Sequence, residues 1–127
     1  MPESNVELVR RGYEAALHGD LDLIAELLAP DVKWHGGDPN ADGACHNRTE
    51  ALAFMGRARR RGGVGELMEV IGAGDQVVVI MRPAGEPEPG ELRANVTRFR
   101  DGKVVEMVHY ANPDDARAAA GLGADHG

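Results

Sequence analysis

Three side chains in this 127-residue sequence combine chemical capacity with a suggestive setting: Tyr13, Asn95 and His109. A neutral imidazole with a pKa near 6.5 can take or pass a proton near neutral pH, so His109 is a candidate general base or proton shuttle. An amide N–H aimed at a developing enolate oxygen stabilises it in a dry site, which makes Asn95 a candidate donor. The phenol of Tyr13 is a second candidate donor. Each also has a structural reading. His109 can be a half-buried histidine bonded to a backbone carbonyl or to Asn95. Asn95 can bond a strand neighbour, and Tyr13 can be a core residue whose hydroxyl finds a backbone partner.

Other reactive types group less well. His35, Asp38, Cys45 and His46 lie close in sequence, but their spacing fits no compact zinc pattern and a glycine-rich loop separates them. They read as solvated loop side chains, and no metal is expected. Cys45 is the only cysteine, so no intrachain disulfide forms, and a reducing cytoplasmic setting is the simplest. Arg57 and Arg59-Arg60-Arg61 read as a solvated helix end that offsets the helix dipole. Gly72-Ala73-Gly74 is no phosphate loop, because a strand follows it. Arg82 reads as half of a cross-strand ion pair.

The elements that position these residues follow from periodicity. Ser4-x-x-Glu7 is a capping box, and Val6, Val9, Tyr13, Ala16 and Leu17 share one helical face up to Gly19. Asp20 caps a second helix carrying Leu21, Ile24 and Leu28, which Pro30 stops. Val32 to His35 is a short strand, and 36–43 a polar loop. A third helix runs from Asn47 or Thr49 to about Arg60. The period then changes to two. Strands are expected over Glu66–Ala73, Gln76–Arg82, Leu92–Arg100 and Val104–Tyr110. Gly74-Asp75 and Asp101-Gly102 are tight turns, and 83–90 is a proline-rich exposed loop. Asn112-Pro113-Asp114-Asp115 caps a short helix to Ala120. Residues 121–127 are expected to fray. The length suits one domain over 1–127. The fold class is α+β, with helices gathered on one face of a curved antiparallel sheet.

Strand alternation assigns the faces. Asn95, Thr97 and Phe99 share a face of the third long strand, and Val105, Met107 and His109 share a face of the fourth. The opposite face carries Val78, Ile80, Val96, Val108 and Tyr110. Exposed, that set would be an apolar patch, which normally marks a partner.

Charge excludes some functions. Fourteen basic and 21 acidic residues give a net charge of −7, so neither nucleic acid nor an anionic membrane is expected as a partner. Apolar residues make up 43% of the chain, which fits a globule, yet no run approaches a membrane span.

The ordered set Tyr13-x6-Asp20-Leu21, Leu28-Ala29-Pro30-Asp31-Val32-x-Trp34, Val96 through Glu106 and Tyr110-x-x-Pro113 resembles the SnoaL-like branch of the nuclear transport factor 2-like superfamily, over roughly residues 4 to 118. The resemblance implies a cone-shaped α+β barrel around one apolar cavity, as in polyketide cyclases and ketosteroid isomerases. It implies a cofactor-independent enzyme acting on a small apolar carbonyl compound, and a homodimer through the outer sheet face. It puts His109 where those cyclases carry an acid. Asn95 falls where cyclases carry a histidine and isomerases a protonated aspartate. Tyr13 falls near the oxyanion tyrosine, one residue out of step. Trp34 stands at the position of the isomerases' aspartate base, and a tryptophan cannot abstract a proton. The expected site therefore has His109, Asn95 and Tyr13 as catalytic groups, with Trp34, Phe54, Met107, Phe99 and Val79 as the ligand wall. The alternatives are a non-catalytic binder of a hydrophobic metabolite and a dimeric interaction module with a filled core.

Overall fold

The computed structural model describes residues 4–38, 40–42, 44–60, 66–82, 92–110 and 112–122. The capping box forms as expected. The Ser4 hydroxyl accepts the Glu7 amide, the Glu7 carboxylate accepts the Ser4 amide, and α1 runs over Asn5–His18. It ends at Gly19, whose left-handed φ of 74° lets its amide close the last turn. Leu17, expected on the packed face, is 64% exposed instead, in the last turn of the helix. Asp20 caps α2, Leu21–Leu27.

Here the first boundary differs from expectation. Pro30 does not stop the helix. Helix α2 already ends at Leu27, and Leu28–His35 is one strand, β1, with Pro30 inside it. A proline is tolerated there because β1 is an edge strand. Helix α3 spans Arg48–Arg60, started by the Asn47 side chain accepting the Glu50 amide. The remaining elements are β2 Glu66–Ala73, β3 Gln76–Arg82, β4 Arg93–Arg100, β5 Lys103–Tyr110 and α4 Pro113–Ala119. Asn112 caps α4 through the Asp115 amide. The proline-rich stretch 83–90 and residues 123–127 lie outside the described residues, as do the side chains of Arg59, Arg60 and Arg61.

The sheet is open and five-stranded, in the order β1-β5-β4-β3-β2. Strands β2 to β5 form the expected antiparallel meander. Strand β1 joins parallel to β5, so the sheet is mixed. Asp101 and Gly102 both have positive φ, 54° and 77°, the geometry of a type I′ turn.

One register detail was not expected. A bulge between Arg98 and Phe99 places Phe99 opposite Val104 but Arg98 opposite Glu106, so Val105 is the extra residue. The inward set on β5 is consequently Val104, Met107 and His109. Val104 joins the main core and Val105 does not. That core lies between the helices and the concave face, and includes Val9, Ile24, Val32, Val77, Val79, Phe99 and Met107.

The opposite face corrects a second expectation. Val78, Ile80 and Val96 form no exposed patch. They are at most 5% exposed because the chain's own α4 covers them, with Ala116 at 0%. Alanine at that position lets the helix approach the sheet closely. No helix among the described residues is long and apolar enough to cross a membrane.

Candidate active site

The bulge decides where His109 points. With the register it imposes, Asn95 pairs with His109 and Thr97 with Met107, so the histidine and the amide share the concave face. Strand β1 brings Trp34 alongside Met107. The Trp34 indole N–H donates to Nε2 of His109, and the two rings stack at 5.2 Å between centroids. Phe54 of α3 stacks on the other aromatic partner, 4.8 Å from Trp34 with 19° between planes. The result is a continuous aromatic stack, Phe54–Trp34–His109.

A nitrogen that accepts a hydrogen bond carries no proton. His109 is therefore the neutral tautomer with its proton on Nδ1, and among the described residues nothing accepts that proton. Part of the residue is open to solvent, yet protein packed around the ring lowers its pKa, with the Arg93 charge adding to the effect. His109 is thus a neutral donor at Nδ1, and its Nε2 lone pair is already engaged.

The stack forms one wall of a pocket of about 180 Å3, lined by Trp34, Phe54 and His109, then by His35, Gly36, Asp38, Ala41, Asp42, Ala44 and Cys45. The pocket lies at the edge of the sheet. Backbone bonds from Trp34 to Cys45, 3.0 and 2.8 Å, fold the segment after the loop back against β1. Cys45 is buried and burial raises its pKa, so it is a thiol and a poor nucleophile.

Asn95 and Tyr13 meet each other rather than this pocket. Asn95 is 0% exposed, and its Nδ2 donates to the Tyr13 hydroxyl at 3.1 Å. Its Oδ1 accepts from the Thr97 hydroxyl at 2.7 Å. The chain of bonds runs one way, Thr97 to Asn95 to Tyr13. The phenol proton has no acceptor among the described residues, and one Asn95 amide proton is likewise unspent. Tyr13 is only half-buried as a residue, but its hydroxyl is deep, and burial pushes its pKa up to about 12. Of the expected ligand wall, Trp34 and Phe54 line the pocket. Met107, Phe99 and Val79 lie in the core, at 7%, 5% and 0% exposure.

The sequence reading missed His35. It is no solvated loop residue. It ends β1, is 7% exposed and lines the pocket. Its Nε2 bonds Glu106 at 2.8 Å, and Arg98 bonds the other Glu106 oxygen at 3.0 Å. Those bonds, the His35 bond first, hold the Glu106 carboxyl below the usual range. Its place at the end of a strand is as expected, but its side chain is buried and bonded rather than solvated. Arg82 pairs with Glu66 across β2 and β3, as expected. No group of three metal-ligating side chains converges among the described residues.

A family model described as a SnoaL-like domain matches residues 9–107. No curated protein matches the chain. Among solved structures, the chain is similar to the Bal32a protein from a soil-derived mobile gene cassette, at 28% identity over 84% of this chain and 87% of that one, with a TM-score of 0.70. An NTF2-like protein of unknown function from Burkholderia pseudomallei is 25% identical over 91% and 97%, TM-score 0.63. A Sinorhizobium meliloti protein described as a candidate polyketide cyclase is 18% identical over 87% and 95%, TM-score 0.69, a likeness of fold alone.

Proposed function

The chain belongs to the SnoaL-like domain family, and from that premise we propose that it is a pocket protein for a small, mainly apolar molecule bearing a carbonyl or similar acceptor. The observation that carries this reading is the Phe54–Trp34–His109 stack at the pocket wall. Flat aromatic faces suit a flat apolar ligand. The Nδ1 proton of neutral His109 supplies a hydrogen bond that orients it. A few placed polar groups in an apolar concavity are the usual make-up of a ligand site. No cofactor enters the proposal.

A second reading is proton-transfer chemistry of isomerase, cyclase or hydrolase type. The unspent protons of Tyr13 and Asn95 favour it, since two buried donors with no acceptor suit a developing oxyanion. In this reading Tyr13 and Asn95 hold the oxyanion, which requires a substrate that reaches past the pocket lining to the buried Tyr13–Asn95 pair. His109 acts as base only after Trp34 releases Nε2. A thermal-shift screen of aromatic ketones and terpenoids, followed by turnover assays on every compound that stabilises the protein, separates the two. A ligand present at ten times its Kd stabilises by about 1.4 kcal/mol. Stabilisation without turnover supports binding alone. Turnover that disappears in Tyr13→Phe supports catalysis. No stabilisation by any compound contradicts both.

A homodimer through the convex sheet face is proposed on the family resemblance alone, because α4 covers the apolar residues that would have driven it. Sedimentation at micromolar concentration decides between dimer and monomer.

A further inference from the structure

We infer that His35 is the positioning residue of this pocket, pinning the segment that forms its outer wall through the Gly37 amide. The inference rests on the pocket reading above.

The geometry is a relay across three strands. Arg98 on β4 holds one oxygen of Glu106 on β5, at 3.0 Å. The other oxygen meets Nε2 of His35 on β1, at 2.8 Å. Nδ1 of His35 accepts the Gly37 amide at 3.0 Å. A carboxylate can only accept, so Nε2 carries the imidazole proton. The lone pair is then left on Nδ1, where the Gly37 N–H requires it. Glu106 thus sets the tautomer that holds the loop. Strand alternation puts His35 and Trp34 on opposite faces of β1, so the pocket wraps the sheet edge. Trp34 supplies the inner wall. His35 ties down the outer one, Gly36, Asp38, Ala41 and Asp42.

Among the described residues, the segment's other bonds to β1 lie at its far end, where Trp34 and Cys45 exchange two backbone bonds and Lys33 Nζ donates to the His46 carbonyl. Among the described residues its internal bonds are local, from the Asn40 amide to the Asp38 carboxylate, from the Ala41 amide to the Asp38 carbonyl and from the Ala44 amide to the Ala41 carbonyl. Gly37 turns at a φ of +118°, a conformation other residues rarely adopt. The chain therefore reverses sharply at the point where His35 grips it. His35 is nearly buried, so water competes poorly for that bond.

Two substitutions divide the two bonds. In His35→Asn, the side-chain oxygen accepts the amide two residues on, as an Asx-turn does, while contact with Glu106 is lost. In His35→Gln, the longer amide reaches Glu106 but carries its oxygen away from the Gly37 amide. Hydrogen exchange of the Gly37 amide in the ligand-free protein and acetophenone affinity, followed by Trp34 fluorescence, are the two readouts. The expected result is near wild-type exchange and affinity for His35→Asn. His35→Gln should exchange about tenfold faster at Gly37 and bind acetophenone about tenfold more weakly. Equal behaviour of the two variants, or the reverse order, overturns the inference. If the exchange difference appears but wild type does not bind acetophenone, the grip on the loop is supported and the pocket reading fails. Should either variant fail to fold, nitrogen chemical shifts of His35 in the wild-type protein decide. An unprotonated Nδ1 at neutral pH supports the relay, and a protonated one overturns it.

Discussion

Asn95 and His109 face each other across β4 and β5 only because β5 carries one residue more than its turn requires. A two-residue turn at Asp101-Gly102, continued without interruption, pairs Asn95 with Val108 and sends His109 to the convex face. Val105 is the extra residue that shifts the register by one and reverses the faces beyond it. Sequence alternation grouped His109 with Met107 correctly, but the side of the sheet they occupy depends on the bulge.

Deleting Val105 should therefore turn His109 away from Trp34 if the hairpin re-pairs regularly. The chain has one tryptophan, so the amide spectrum holds a single indole resonance that reports the contact. In the deletion variant that resonance should shift toward the value of an unbonded indole. Such a shift, with the β4–β5 pairing re-registered in cross-strand NOEs, is the expected outcome. An unchanged indole resonance in a folded deletion variant would contradict the account of the bulge.

The Trp34–His109 bond favours the neutral imidazole, and burial acts in the same direction. His109 should titrate below its ordinary value of about 6.5 in wild type and move back toward that value in Trp34→Phe. Below about pH 6.5 the unfolded chain takes up this proton before the folded one does, so stability is lost as pH falls through that window toward the folded value. Imidazole resonances followed through a pH titration of both proteins test this directly.

Much of this architecture was legible locally. Ser4 with Glu7, Asp20 and Asn112 all cap the helices they were read to cap, and the third helix starts at Asn47, one of its two expected positions, since a cap depends on residues three apart and nothing distant. The Asp101-Gly102 turn is similarly local. What escaped the sequence depends on partners far along the chain. Whether Pro30 ends a helix or sits in an edge strand is decided by β5. Whether Val78 and Val96 are exposed is decided by Ala116, in a helix too short and alanine-rich to announce a packing face. His35 was placed at a strand end but its side chain was read as solvated, because its partner Glu106 becomes a neighbour only once β1 has docked parallel to β5.

Tyr13 should ionise near pH 12, delayed by the burial of its hydroxyl. Ultraviolet titration should show one tyrosine ionising in that range, and Tyr13→Phe should abolish that step. A raised pKa means the unfolded chain loses this proton first, near pH 10. Stability is then lost as pH climbs from about 10 toward 12. A titration with no tyrosine delayed to that range would show that the hydroxyl is not buried as described.

Glu106 responds in the opposite direction. Its folded pKa is held down by His35 and Arg98, so its contribution is present above the unfolded carboxyl value and fades as pH falls through the folded one. Arg98 is partly exposed, so Arg98→Ala should cost only about 0.5–1 kcal/mol at neutral pH, and the loss should shrink in acid and in high salt. Urea unfolding of both proteins at pH 7 and pH 3 gives the comparison.

The central claim is that a small apolar molecule enters beside the Phe54–Trp34–His109 stack. The most direct test adds acetophenone and related aromatic ketones to the labelled protein and follows the Trp34 indole resonance. The account predicts a saturable shift of that resonance, shared by Phe54 and Cys45 signals and weakened about tenfold in Phe54→Ala. An indole resonance that stays in place at millimolar concentrations of every compound tried would contradict it.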